Sequence, residues 1–381
     1  MEFGLAMPAR VDAWPLVRRA EELGFTHAFL SDSQMLYADV FACLALCAEH
    51  TSDIKLGPGV TNSSSRIAPV MASALATINQ LAPGRTFFGI GSGNTARRAM
   101  GFPPDTMEHF AEYIRVVRAL TRGEMAEYSE GDRTRLIQMI HRDGSIDPTF
   151  MNFRDEIPVY IAAGGPKARA IAGELGDRVI IGGRPSPELI AKVRAEVQVG
   201  ADRAGRRAED IPIHLNTMIY VRDPDEPIGS KRMKESVGRN QSSIGSYAAG
   251  RWGELPVGLI AAGKTGRPIA DADIPGEYFP LAEAYRRLKA GMSGPARLDG
   301  PAWYVTAYDG HGWRVHPELM PLVTDDMLRS QAIIGTADEV VDLMKSWESL
   351  GIASVSTMVG YSIDNSLEMV ERFGRDVIQR F

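Results

Sequence analysis

An α/β barrel of eight parallel strands is the fold that this 381-residue sequence predicts. Short apolar runs alternate with amphipathic segments at helical spacing along most of the chain. Eight such runs can be counted, which is the number that closes a (β/α)8 TIM barrel. Polar or glycine-rich residues follow several of the runs, as expected where barrel strands end. An open doubly wound sheet shows the same alternation and is the alternative.

The predicted strands are short, apolar and bounded by turn residues. They are Phe3–Met7, Ala28–Leu30, Ile54–Val60, Thr86–Ile90, Val159–Ala162, Val179–Ile181, Ile213–Val221 and Val355–Met358. The helices between and after them carry apolar residues at helical spacing, and glycine follows several of them. They are Trp14–Leu23, Val40–His50, Pro69–Leu81, Met107–Thr121, Lys167–Leu175, Glu188–Gly205, Thr336–Leu350 and Asn365–Phe381.

Two stretches are too long for simple connections. Glu124–Pro158 contains short apolar runs between polar clusters and is predicted to form a hairpin excursion. Asp223–Asp325 lies between the seventh strand and its helix, with helical pieces predicted near Lys231–Arg239 and Leu281–Leu288. Insertions of this length in barrels form lids or substrate walls, and a dimer-contact subdomain is the alternative. We therefore expect one domain, residues 1–381, with residues 223–325 as an insertion subdomain inside it.

Composition narrows the function classes. The net charge of −6 argues against a nucleic-acid surface, which needs clustered Lys and Arg. No apolar run approaches the ~20 residues of a membrane span, and the N-terminus has no signal-peptide pattern. Only two cysteines occur, Cys43 and Cys47, and their spacing of four places both on one buried helix face. A cytoplasmic protein fits these features best.

The segment after the fifth strand is the most informative in the chain. Gly164 and Gly165 follow an apolar strand, and Pro166 suits the first turn of the helix that comes next. Glycines before a helix N-terminus let backbone N–H groups approach an anion, and the helix dipole favours negative charge there. The segment is interpreted as a phosphate cradle, and a tight strand-to-helix turn without a ligand is the alternative.

Other strand ends are polar but carry few acids or bases. They are Ser31–Gln34, Thr61–Arg66 and Gly91–Arg98. No His and Asp pair stands at metal-ligand spacing, so no metal site is expected. There is no nucleophile elbow, because Ser92 is misplaced within its glycine run, and no histidine falls at a predicted strand end. Such a rim suits a bound cofactor that performs the reaction while the protein supplies position and electrostatics.

Four segments together resemble the bacterial luciferase-like flavin and deazaflavin oxidoreductases. They are Ala74–Arg85, Phe88–Gly93, Ala162–Ala168 and Gly335–Val340, and their order and spacing match over most of the chain outside residues 223–325. The resemblance implies a (β/α)8 barrel with its large insertion after strand seven. It also implies a homodimer. Both reduced-FMN monooxygenases and enzymes that use a deazaflavin, including methylenetetrahydromethanopterin reductases, belong to this group.

The resemblance also assigns cofactor contacts. Backbone at Val60, Thr61 and Asn62 would pack on the face of the flavin ring, often through a cis peptide, with Gly93 nearby. The cofactor phosphate would lie in the turn that follows strand five, formed by Ala163, Gly164, Gly165, Pro166, Lys167 and Ala168.

Three residues are candidates for a catalytic role, namely Asp32, Gln34 and Asn94. By resemblance, Asp32 and Asn94 would approach the edges of the ring. Two departures stand out: Ser33 occupies a position where many members have His, and Asn94 stands where some deazaflavin enzymes have a proton-donating Glu. An amide does not release a proton at neutral pH. Gln34 and Asn94 are therefore expected to orient a ligand by hydrogen bonds, and structural loop bonds are the alternative.

The favoured functional hypothesis is a monooxygenase that receives reduced FMN from a separate flavin reductase. A flavin peroxide would then oxygenate a small organic substrate. No dinucleotide fingerprint follows strand one, consistent with the absence of a built-in reductase. The first alternative is hydride transfer by a reductase or dehydrogenase that uses the deazaflavin coenzyme F420. The second is a non-catalytic flavin-binding protein.

Overall fold

In the computed structural model the described residues are 1–100, 102–141, 150–237, 320–360 and 363–381. Parallel strands form a barrel with helices packed around its outside. The strands are β1 (Glu2–Pro8), β2 (His27–Ser31), β3 (Lys55–Pro58), β4 (Thr61–Asn62), β5 (Phe88–Gly91), β6 (Ala126–Glu130), β7 (Arg133–Ile137), β8 (Val159–Ala162), β9 (Arg178–Gly182), β10 (Ile213–Thr217), β11 (Ile219–Val221), β12 (Ile333–Gly335) and β13 (Ile352–Met358).

The helices follow the predicted order closely, and several begin at a polar N-cap such as Asp39, Thr106 or Thr336. They are α1 (Trp14–Glu22), α2 (Val40–Glu49), α3 (Ala68–Leu81), α4 (Asn94–Ala99), α5 (Met107–Thr121), α6 (Pro166–Leu175), α7 (Pro187–Ala201), α8 (Lys231–Val237), α9 (Asp325–Gln331), α10 (Ala337–Ser349) and α11 (Ile363–Asp376). Within the described ranges, none of these helices is both long and apolar enough to cross a membrane.

The order of strands around the sheet confirms the predicted barrel. Parallel pairing runs β3-β2-β1-β13-β10-β9-β8-β5-β4, and a parallel bridge between Leu56 and Thr86 joins β3 to the segment before β5. The main-chain N–H of Leu56 donates to the carbonyl of Arg85 at 2.7 Å, which closes the ring. Because β3 and β4 are two parts of the third strand, the nine pieces correspond to eight barrel strands.

The connections between the barrel strands agree in part with the predicted ones. The hairpin predicted within Glu124–Pro158 is present as the antiparallel pair β6–β7. The seventh strand, predicted as one piece from Ile213 to Val221, is two: β10 pairs in the barrel, whereas β11 leaves it and pairs with β12. The helical piece near Lys231 is α8, but the piece at 281–288 lies outside the described residues. The insertion subdomain, residues 223–325, therefore stays largely a prediction.

The core has two parts, as barrels require. The larger part lies between the strands and the helices and includes Cys43 and Cys47, both buried as predicted. The smaller part fills the barrel interior, where aromatic rings contact one another. Its members are Ala6, Phe29, Phe87, Tyr160 and Ile180.

His27 occupies the barrel interior below this aromatic layer. It was expected just before strand two, but it is the first residue of β2 and is 1% exposed. Burial, with help from the charges of Arg178 and Lys55, lowers the pKa of His27 to about 3. The ring is therefore neutral in the folded protein, whereas an unfolded chain binds a proton below pH ~6.5.

Folding stability should fall with acidification because of this histidine. Between pH 6.5 and 3 only the unfolded state holds the proton, so the free energy of unfolding rises with pH in that window. From pH 7 to pH 5 the loss due to His27 should be about 2 kcal/mol. Urea unfolding of the wild type and of His27→Gln at both pH values measures it. Equal pH slopes for the two proteins would contradict the assignment.

Candidate active site

A cavity of about 850 Å³ opens at the C-terminal ends of the barrel strands. Every predicted site residue except Gln34 lines it, so the loops after strands two, three, four and five converge as the fold predicts. Its floor includes the apolar side chains Val60, Ala162, Ile180 and Met358. The cavity therefore combines an apolar base with a rim of amide, hydroxyl and carboxylate groups.

Asp32 is the buried carboxylate of this rim, with 4% of its surface exposed. It accepts a hydrogen bond from the Thr61 hydroxyl at 2.5 Å and from the Arg66 guanidinium at 2.7 Å. Burial raises the pKa of Asp32, and the bonds from Thr61 and Arg66 oppose that rise. Arg66 also pairs with Asp39, the N-cap of α2. Asp32 is thus held in place from two sides and lines the cavity.

The third strand is interrupted where the ring-binding backbone was expected. The peptide bond between Gly59 and Val60 is cis, and the chain resumes pairing as β4 on the β5 side. The side-chain oxygen of Asn62 accepts from the N–H groups of Ser64 and Ser65 at 3.0 Å each, which fixes the following turn. Its amide nitrogen is buried and has no partner within the described part of the chain.

Gln34 and Asn94 have different surroundings. Gln34 donates to the carbonyl of Ala96 at 2.8 Å and does not line the cavity. It ties the loop after strand two to the short helix α4, which the sequence did not predict. Asn94 begins α4, is exposed and lines the cavity. Just before it, Gly93 has φ +77°, a backbone conformation that favours glycine.

The turn predicted to be a phosphate cradle is open in the way that an anion site requires. A Cβ added at Gly164 or at Gly165 would meet no atom of the described residues within 4 Å. Gly165 is the N-cap of α6, and no side chain caps this helix end. Pro166 has no N–H, and the first α-helical bond runs from Arg169 to Gly165, so the N–H groups of Lys167 and Ala168 are free of intrahelical bonds. These donors lie at the rim of the cavity.

Arg169 holds the cradle from behind. This buried side chain donates to the carbonyls of Ala163 at 3.2 Å and Gly164 at 3.4 Å. Its other nitrogen pairs with Glu196 on α7 at 2.6 Å. Because both carbonyl oxygens accept hydrogen bonds from Arg169, the backbone of the turn is held in place. The sequence offered no signal for this role, which depends on a contact between two helices.

The arginines near the rim are mostly occupied. Arg66 is committed to Asp32 and Asp39, and Arg97 donates to the carbonyl of Pro103 and to Ser64 at 2.5 Å each. The side chain of Arg98 lies outside the described atoms. Lys167 is exposed beside the cradle. It is therefore the cation with the clearest access to an anionic ligand among the described cavity-lining residues.

Asn216 lines the cavity from β10 and was not identified from the sequence. Below it on the same strand face lies His214, which is 1% exposed. A signal was present in the chain: polar residues alternate with apolar ones in the last two barrel strands, at 214 and 216 and again at 354 and 356. In a closed barrel, one face of each strand points inward, so this alternation places four polar side chains in the interior.

A larger groove of about 1100 Å³ lies outside the barrel, between α5, β6 and the helices α6 and α7. Among the described residues, it shares only Met107, Pro166 and Lys167 with the strand-end cavity. The strand-end cavity is the candidate active site because it gathers the buried carboxylate, the cradle and the interrupted third strand. No group of three or more His, Cys, Asp or Glu side chains in the described ranges could hold a metal ion.

The family model described as luciferase-like monooxygenase matches residues 9–354. The chain belongs to this family. The resemblance predicted from the four segments is thereby confirmed, as is the barrel fold. A 5,10-methylenetetrahydromethanopterin reductase of Archaeoglobus fulgidus is 31% identical over 392 aligned positions, which cover 100% of this chain and 99% of that protein.

Two further comparisons agree with this placement. An F420-dependent glucose-6-phosphate dehydrogenase of Intrasporangium calvum is 32% identical over 232 positions, or 56% of this chain and 67% of that protein. The coenzyme F420-dependent tetrahydromethanopterin reductase of Methanopyrus kandleri has the same fold, with a TM-score of 0.67 and 23% identity over 100% of this chain and 99% of that structure. The broad prediction of a luciferase-like oxidoreductase is supported, whereas these relatives do not favour FMN.

Proposed function

We propose that this protein is an F420-dependent reductase or dehydrogenase that transfers a hydride to or from a small organic substrate. The observation that carries the proposal is its similarity to a 5,10-methylenetetrahydromethanopterin reductase, at 31% identity, and to a dehydrogenase named as F420-dependent, at 32% identity. This is the alternative that the sequence left open. The monooxygenase hypothesis with reduced FMN is less well supported, because no curated relative compared above is named as an FMN enzyme.

The residues of the cavity fit a phosphate-bearing tricyclic cofactor. The free N–H groups of Lys167 and Ala168, with the open turn at Gly164 and Gly165, suit a phosphate group. Val60 and Met358 offer apolar surface to a ring. When bound, the deazaflavin supplies the hydride-accepting or hydride-donating carbon. F420 and FMN both carry a phosphate, so the cradle alone does not distinguish one cofactor from the other.

The protein's own part in such a reaction is positioning and charge. Asp32, clamped by Thr61 and Arg66, places a buried carboxylate at the cavity wall. Asn94 can donate and accept hydrogen bonds but cannot supply a proton at neutral pH. Of the cavity-lining side chains within the described ranges, only Asp32, Tyr37 and Lys167 are titratable. The proton that accompanies hydride transfer therefore does not come from the positions of Ser33 and Asn94.

Anaerobic titration with each cofactor tests the proposal. We expect F420 to bind at least tenfold more tightly than FMN or reduced FMN, as followed by fluorescence quenching. Reduced F420 should then be oxidised by a substrate from a panel of imines, ketones and conjugated alkenes without oxygen. Tight binding of reduced FMN with oxygen-dependent turnover, and no affinity for F420, would overturn the proposal. The homodimer and the separate flavin reductase stay predictions.

A further inference from the structure

A line of hydrogen bonds crosses the barrel interior from its lower end to the cavity. Arg178 donates to the Ser354 hydroxyl at 2.6 Å, and that hydroxyl lies 2.8 Å from Nδ1 of His214. Nε2 of His214 lies 2.9 Å from the Ser356 hydroxyl, which donates to the side-chain oxygen of Asn216 at 3.0 Å. The first four of these side chains are buried, and the fifth lines the cavity.

The direction of these bonds follows from the donor-only nature of Arg178. If each group instead donated toward Arg178, His214 would donate from Nδ1 to the Ser354 oxygen. The hydroxyl hydrogen of Ser354 would then need another acceptor, because Arg178 cannot accept. Within the described ranges Ser354 makes no side-chain bond beyond those to Arg178 and His214. The upward direction satisfies every hydroxyl hydrogen, and buried donors are nearly always satisfied. His214 is then protonated on Nε2 and accepts at Nδ1.

The line orients Asn216 rather than conducting protons. A proton path needs a terminal group that gains and loses protons, and the guanidinium of Arg178 does not. It is also paired with Glu2 at 2.7 Å. Complete burial, with His27 and Arg178 nearby, lowers the pKa of His214 well below its usual range, so the ring is neutral. Because the neutral ring accepts a hydrogen bond at Nδ1 and donates one from Nε2, all the hydrogen bonds in the line point toward Asn216.

We propose that Asn216 is a ligand-binding residue whose amide N–H is aimed at a hydrogen-bond acceptor of the molecule in the cavity. Its oxygen is engaged by Ser356, and its nitrogen donates to no group within the described residues. The amide lines the same cavity as the apolar side chains Ile180 and Met358. A carbonyl oxygen or ring nitrogen of a heteroaromatic ring matches this donor. The identity of the ring rests on the proposed function, whereas the orientation of the amide does not.

The orientation can be tested without any ligand. Nitrogen-15 NMR of labelled protein should show His214, assigned by its loss in His214→Gln, as the Nε2–H tautomer from pH 6 to pH 8. Replacing Arg178 by Met removes the group that sets the direction and should give a mixture of tautomers. If wild-type His214 is protonated on Nδ1, or is charged in this range, the inference is wrong.

The ligand contact is tested by binding. Asn216→Ala should weaken F420 binding roughly tenfold through loss of one hydrogen bond in a buried site. Asn216→Asp, which presents no donor and adds a negative charge, should weaken it more. Ser356→Ala frees the amide to turn and should cost a few-fold, whereas Ser366→Ala, a buried serine on α11 bonded to Gly360, should have no effect.

These arms separate failure of the inference from failure of the proposed function. If the wild type binds FMN but not F420, the same variants titrated with FMN still test Asn216. Unchanged affinity in both Asn216 variants for whichever cofactor binds would overturn the ligand contact. If neither cofactor binds, the tautomer of His214 decides the orientation, and the proposed function fails separately.

Discussion

Gly165→Asp should weaken cofactor binding more than 100-fold while leaving the fold intact. A carboxylate at this N-cap would accept hydrogen bonds from the N–H groups of Lys167 and Ala168 and would therefore compete with the phosphate for them. It would also place a negative charge within ~4 Å of the phosphate, a repulsion worth about 4 kcal/mol at an effective dielectric constant near 20. Fluorescence titration of the variant with F420, compared with the wild type, measures the loss.

The geometry of Gly165 makes this a test of electrostatics rather than of space. Its backbone is extended, at φ −133° and ψ 169°, and an added Cβ meets nothing within 4 Å. Gly165→Ala should therefore bind within ~3-fold of the wild type. Gly165→Asn, which can cap the helix without charge, should lose roughly tenfold. Melting temperatures should not fall in any of the three variants. Normal F420 affinity in Gly165→Asp would show that the phosphate binds elsewhere.

Gly200→Ala should be the most destabilising of the glycine-to-alanine substitutions in the described helices, although alanine favours a helix. Helix propensity alone would stabilise such a variant by about 1 kcal/mol. In the structure, α7 crosses α6 so closely that a Cβ at Gly200 would lie 1.6 Å from the carbonyl oxygen of Ala170. Backbone atoms cannot move aside as a side-chain end can. We expect a loss of about 3 kcal/mol in the free energy of unfolding.

Two other helix glycines, Gly173 and Gly374, provide controls for this prediction, because an added Cβ would make longer contacts there. Gly173 faces α7 from α6, and its Cβ would lie 2.0 Å from the carbonyl oxygen of Val197, so Gly173→Ala should also destabilise strongly. On α11, a Cβ at Gly374 would lie 2.7 Å from the Cβ of Leu23, a longer distance than in the other two cases, and the cost should be smaller. Urea unfolding of the three glycine-to-alanine variants measures the order of their free energies of unfolding. A Gly200→Ala protein as stable as the wild type would contradict the close crossing.

The two predictions meet in helix α6. Its N-terminus forms the predicted cradle, and its backbone between Ala170 and Glu174 packs closely against α7. An alanine at Gly200 would displace α6 and with it the donors of Lys167 and Ala168. We therefore expect Gly200→Ala to lower F420 affinity as well, even where the protein is still folded.

Much of the rim was predictable because its signals are local. The apolar run at Val159, the turn at Gly164 and the helix after Pro166 each depend on neighbouring residues, and all were placed within a residue or two. The split of strand seven at Met218 was not predictable. Residues 218–221 are apolar, as a continuing strand would be. Only the pairing of Ile219 with Ile333, over a hundred residues away, takes this segment out of the barrel sheet.

The amino-acid order alone therefore determines the alternation of strands and helices, the glycine turn before α6 and the family, since each depends on periodicity or on a contiguous motif. The tertiary structure decides the rest. Barrel closure brings residues 142 positions apart into contact, so that His214 and Ser356 share a hydrogen bond, and it determines which alternating side chains face inward. It likewise sets the close approach of α7 to α6 at Gly200, because a backbone contact between two helices depends on residues that are not neighbours in the sequence.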